Sequence, residues 1–72
     1  MADREDIHKG VVSAYDTFKG FGFIRREKGK DVFFFYDEIE DDGIAVGDVV
    51  VFSLRDLPKG PRAYGVRKLA IS

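Results

Sequence analysis

A chain of 72 residues makes one small domain, and at this length only about 60% of the surface exposed by the unfolded chain is buried, so the core must be thin. The absence of cysteine excludes disulfide staples and thiolate metal clusters, which leaves ordinary packing to hold the fold and favours a reducing, cytoplasmic setting. The net charge of −1 excludes capture of a polyanion by bulk charge alone, and no apolar run approaches the roughly 18 residues of a membrane span.

Residues 1–6 mix charges and read as a loose polar N-terminal tail ahead of a domain over residues 7–72, and the first ten residues lack the apolar stretch of a secretory signal. From there short apolar or aromatic segments alternate with Gly, Pro and Asp clusters, and no window repeats apolar residues at helical spacing over helical length. Strands are expected near Gly10–Tyr15, Gly20–Arg26, Asp31–Tyr36, Asp48–Leu54 and Arg62–Leu69. Glu27 to Lys30 joins the second and third as a hairpin turn in which Gly29 can take positive φ. Asp37 to Gly47 is the longest connection and reads as a solvated acidic crossover. Pro58 to Pro61 closes a further turn, with prolines that should keep either strand from extending through it. Five strands this short cannot make two full sheets. They can close a small barrel, which removes exposed edges and buries one face of every strand.

Charge and aromatic residues are both unevenly placed. Residues 1–30 carry seven basic against five acidic side chains, residues 31–56 carry Arg55 against eight acidic ones, and residues 57–72 carry four basic and none acidic. Of the ten Phe and Tyr residues, eight fall between Tyr15 and Tyr36. Strand alternation puts Lys19, Phe21, Phe23 and Arg25 on one face and Gly20, Gly22, Ile24 and Arg26 on the other. In either register, two of Phe33, Phe34, Phe35 and Tyr36 point away from the core. Burial preference assigns Phe34, beside Val32, and Phe52, in a Val-rich strand, to the interior. So small a barrel has no room for the other rings, and an exposed aromatic patch is forced. Lys19 and Arg25 bracket Phe21 and Phe23 in a cation–aromatic–aromatic–cation row. Flat rings stack on bases and cations meet phosphates, whereas a protein-binding patch would mix in more Leu, Met and Trp.

Lys19-Gly20-Phe21-Gly22-Phe23-Ile24 resembles the first ribonucleoprotein motif of cold-shock domains, and Val32-Phe33-Phe34-Phe35-Tyr36 resembles the second. The likeness runs from about Lys9 to Lys68 and includes Asp31, the Gly47-Asp48 step and the Gly60-Pro61 turn. The resemblance implies an all-β, five-stranded antiparallel OB-type barrel that binds single-stranded RNA or DNA, with family roles in RNA chaperoning and expression at low temperature. It implies base-stacking positions at Phe21, Phe23, Phe33, Phe35 and Tyr36, with Tyr15 at their edge, Lys19 on the backbone, and a polar nucleic-acid contact at Arg62. The family's usual Trp in strand one is Ala14 here, its neighbouring Lys is Ser13, and the usual His of the second motif is Phe35.

Other constellations carry little. His8, the only histidine, has no partner for triad chemistry or a multi-His metal site and reads as exposed and functionally silent. The acidic run from Asp37 to Asp42 fails the calcium-loop pattern, because Ile39 takes the third position and Asp48 the twelfth. Gly20-Phe21-Gly22 opens a dinucleotide-like string, but Arg25 stands at its third glycine position and no helix follows. The expectation is a monomeric, non-enzymatic single-strand binding protein without cofactor, metal or membrane partner. Its nucleic-acid contacts would be Tyr15, Lys19, Phe21, Phe23, Arg25, Phe33, Phe35, Tyr36 and Arg62. The rival reading is a protein-interaction module of the same fold with weak or no nucleic-acid binding.

Overall fold

Strands β1 (Ile7–Asp16), β2 (Phe21–Arg25), β3 (Val32–Phe35), β4 (Val49–Leu57) and β5 (Gly60–Lys68) close a barrel in the order β1-β2-β3-β5-β4. The structure is a computed structural model and describes residues 7–41 and 43–69; the expected tail over residues 1–6 lies outside them. The five-stranded all-β barrel expected from the sequence is thus observed. Its neighbours run antiparallel except at the closure, where β3 and β5 lie parallel with Phe33 opposite Arg62. A single 3-10 turn, Tyr36–Glu38, follows β3.

The interior is filled by Val12, Ile24, Val32, Phe34, Val50, Phe52, Ala63 and Val66, with Ile44 added from the long connection. Phe34 and Phe52 are its two largest members, as burial preference requires. Gly22 sits above Phe34 because nothing larger fits: a Cβ there would stand 2.7 Å from Phe34 Cζ and would also strike the Ala14 carbonyl oxygen. This close approach lets β1 and β2 coil tightly enough to close so small a barrel.

One irregularity decides which residues of β1 face outward. Val12 opposes Ile24 and Ala14 opposes Phe23, so Ser13 is an extra residue, a bulge between them. By plain alternation Ala14 would join Val12 in the core, but the bulge reverses the facing of everything after it. Ala14 is therefore exposed, while Tyr15 turns inward opposite Gly22.

Four expectations are corrected. β2 begins at Phe21, after a turn in which Gly20 has φ +80°, so strand alternation does not reach Lys19; that residue sits in the turn. Leu57 pairs with Gly60, leaving Pro58-Lys59 as the loop and placing Pro61 inside β5, near a strand start where its missing N–H is tolerated. The acidic crossover is not merely solvated. Glu38 Oε1 accepts the Gly65 N–H at 3.2 Å, Asp41 Oδ2 accepts the Lys68 N–H at 2.7 Å, and the Glu40 N–H donates to the Val66 carbonyl at 2.8 Å. These bonds pin the crossover to β5, where Ile39 also bridges Val66. His8 is half-buried, its ring stacked on Phe52 with centroids 6.0 Å apart.

Candidate nucleic-acid interface

The outward face of β2 and β3 carries one continuous cluster of rings. Phe21 opposes Phe35 and Phe23 opposes Phe33, while the intervening Gly22, Phe34, Ile24 and Val32 point inward. Phe33 lies at the centre, 4.8 Å from Phe35, 5.6 Å from Phe21 and 5.7 Å from Phe23 between centroids; Phe21 and Phe23 are 6.4 Å apart. Interplanar angles of 40–82° lean the rings on one another at separations typical of favourable aromatic pairs. Each ring is thereby held without being covered, and Phe23 and Phe35 remain 37% and 38% exposed.

A cation closes one side of the cluster. Arg62 stacks its guanidinium on Phe35, 4.5 Å from the ring centroid. Phe23, Phe33, Phe35 and Arg62 line a groove of about 460 Å³ with Leu57 and Lys59. Lys59 comes from the β4–β5 loop and was not anticipated, because the sequence gives no sign that this hairpin folds back beside the rings. On the other side, Ala14, Asp16, Phe21 and Phe23 line a groove of about 420 Å³.

The other expected site residues are distributed around this cluster rather than in it. Arg25 is exposed and shares the outward face of Phe21 and Phe23, opposite Val11. Lys19 is exposed in the Thr17–Gly20 turn, where Asp16 Oδ1 accepts the N–H groups of both Phe18 and Lys19 at 3.0 Å. That turn presents Phe18, 96% exposed, which sequence reasoning counted among the aromatics but assigned no role. Tyr15 packs its ring 5.4 Å from Phe34, at the margin of the core. Tyr36 lies in the 3-10 turn, 60% exposed, its N–H donating to the Gly20 carbonyl at 2.9 Å. Tyr15 and Tyr36 line a separate cleft of about 550 Å³ with Thr17, Ile39, Asp41 and Ile44. Tyr64, two residues beyond Arg62 in β5, was also missed, although period two would have put it on the Arg62 face.

A closed five-stranded barrel whose outward sheet face is a platform of packed rings edged by guanidinium groups defines a nucleic-acid-binding barrel. The family described as 'Cold-shock' DNA-binding domain matches residues 8–69, and the chain belongs to that family. It is 43% identical over 67 residues to the Retron Se72 cold shock-like protein of Salmonella heidelberg (strain 579083-10), covering 88% of this chain and 100% of that one. It is 42% identical over 64 residues to the cold shock-like protein CspC of Bacillus cereus, covering 85% and 98%. Among solved structures it is similar to the drosophila Unr CSD456, with TM-score 0.76 and 25% identity, covering 89% of this chain and 27% of that one. The protein is a nucleic-acid binder of cold-shock type.

Among the described residues no helix is long and apolar enough to cross a membrane, and no group of three or more His, Cys, Asp or Glu residues is placed to hold a metal ion.

Proposed function

We propose that this protein binds single-stranded RNA or DNA by stacking successive bases on Phe21, Phe23, Phe33 and Phe35. Lys19, Arg25 and Arg62 meet the phosphates, and Tyr36 and Tyr15 serve bases at the turn end of the platform. The carrying observation is the mutual packing of the four phenylalanines, which keeps rings exposed yet ordered, so little side-chain entropy is lost when bases settle on them. Every base has a π-face, which makes the mode tolerant of sequence. One face of this size covers roughly six nucleotides, at the low end of the range for such barrels.

Base-paired RNA hides the faces that the platform needs, so binding favours unpaired strands and disfavours hairpins. That preference, with rapid release, suits a cytoplasmic RNA chaperone or a regulator of expression of cold-shock type. The protein acts by binding, as a monomer, with no reaction, cofactor or metal. Titration of a labelled oligothymidylate, followed by anisotropy and by quenching of tyrosine emission in a chain without Trp, tests the reading. Saturable binding of single strands with weaker binding of the matching duplex is expected. Equal binding of both, or none at high protein concentration, returns the aromatic patch to a protein partner.

A further inference from the structure

The outward face does not stop at the phenylalanines. Phe23 opposes Phe33, Phe33 opposes Arg62 and Arg62 opposes Arg55, so one register row crosses β2, β3, β5 and β4 in turn. At the usual strand spacing this row runs about 14 Å from Phe23 to Arg55. Its second half is cationic. The Arg62 guanidinium lies over two rings, 4.5 Å from the Phe35 centroid and 5.1 Å from that of Tyr64, and the Arg55 guanidinium lies 5.4 Å from the same Tyr64 centroid. The sequence of contacts is thus Phe33, Phe35, Arg62, Tyr64, Arg55.

One feature of this ladder calls for an anion. Like charges directly opposite on neighbouring strands repel, and Arg55 and Arg62 are such a pair. Among the described residues the ion pairs are Arg67–Glu40 and Lys68–Asp48, and neither relieves it. Asp56, the next residue of β4, is exposed opposite Pro61 and makes no ion pair with either guanidinium. The Arg62 Nε is buried without a hydrogen-bond partner, so the stack fixes the guanidinium at the expense of one donor. Cation–π contact orients both planar groups, and oriented guanidinium forks match phosphate oxygens well.

We propose that Arg55, Tyr64 and Arg62 form a second, cationic half of the interface, which takes the phosphodiester backbone and one further base beyond the phenylalanine platform. The inference rests on the single-strand reading above. The half-buried Tyr64 ring offers its remaining surface to that base, while Arg55 and Arg62 share the phosphate that separates them. In a chain of net charge −1 this adds Arg55 to the phosphate contacts of Lys19, Arg25 and Arg62 along the track.

The test compares Arg55→Gln, Tyr64→Leu and the platform variant Phe23→Ala, titrated with octathymidylate over a range of salt. Arg55 is exposed, so its replacement leaves the barrel folded and carries the test even if Tyr64→Leu loosens β5. Arg55→Gln should make the log–log salt slope shallower by about 0.7, the value of one phosphate contact on a single strand. Tyr64→Leu should weaken binding by about fivefold or more with its slope unchanged. If Arg55→Gln keeps the parental affinity and slope while Phe23→Ala loses affinity, the cationic half is refuted and the platform stands. If the parent protein binds no single strand, both readings fall together.

Discussion

Phe34 and Phe35 are neighbours in β3 with opposite duties, and replacing each with Ala separates folding from binding. Phe34 is fully buried and touches Tyr15 across the core margin, so its truncation leaves a cavity and should cost about 3–5 kcal/mol. A domain of 72 residues has roughly 4–11 kcal/mol of total stability at typical per-residue values. Loss of Phe34 therefore removes much or all of it, lowering Tm by about 12–40 °C at the shift per kcal/mol of a domain this small. Phe35 is 38% exposed and loses one ring pair, with Phe33, and one cation–π contact, with Arg62. Those two contacts together are worth about 1–2.5 kcal/mol, which leaves a folded majority. Its single-strand affinity should nevertheless fall by about 1–3 kcal/mol, whereas Phe35→His keeps a flat ring and should lose less. Thermal unfolding by circular dichroism and anisotropy titration with an oligothymidylate read the two effects separately. A Phe35→Ala protein that is folded and binds as the parent does refutes the stacking assignment, and a Phe34→Ala protein with unchanged Tm refutes the register of β3.

Gly22→Ala should destabilise by about 1–3 kcal/mol, because the new Cβ meets the Ala14 carbonyl oxygen and the Phe34 ring; an unchanged melting curve would show that β1 and β2 can separate at little cost. With about three to four phosphate contacts from Lys19, Arg25, Arg62 and Arg55, the log–log salt slope for a single strand should lie between about −2 and −3, and a slope of −5 or steeper would mean that charge, not stacking, dominates. Ala14→Trp places a wide ring in the groove edged by Phe21 and Phe23 and should raise single-strand affinity by up to about 1–3 kcal/mol with little change in Tm; a destabilised variant that binds no better would show Ala14 facing inward.

The fold class was legible because five apolar segments, their glycine punctuation and the two aromatic motifs agree at every level. The split of β3 was also within reach, since Val32 and Phe34 alternate with Phe33 and Phe35. What alternation could not supply was the bulge at Ser13. A run of ten strand residues offers no composition cue for one extra residue, and Ser13 is held there by weak contacts, its hydroxyl 3.3 Å from the Phe23 carbonyl and 3.4 Å from Asp31 Oδ2. The facing of Ala14 and Tyr15 follows from that residue alone. Lys19 was misplaced for the converse reason: the period of two was extended through Gly20, whose left-handed backbone ends the strand before it reaches the lysine. Tyr64 was within reach by period two from Arg62, but Arg55 joins the outward face only through the pairings of β3 with β5 and of β5 with β4, and long-range pairing leaves no local trace in the sequence.

An acidic crossover in a protein that binds a polyanion becomes intelligible once its carboxylates are followed to their partners. Glu38 and Asp41 accept backbone N–H groups of β5, Asp48 accepts the Ala45 N–H at 2.9 Å, and Glu40 and Asp48 face Arg67 and Lys68 at 3.8 and 3.7 Å. The exposed ion pairs add little stability. Their effect is distributional: acids of the crossover are engaged with the far end of β5, Gly65 to Lys68, whereas its near end carries Arg62 beside the rings. Charges separated by more than about 10 Å are screened at moderate salt, so the phosphates feel the local guanidinium groups and not the net charge of the chain.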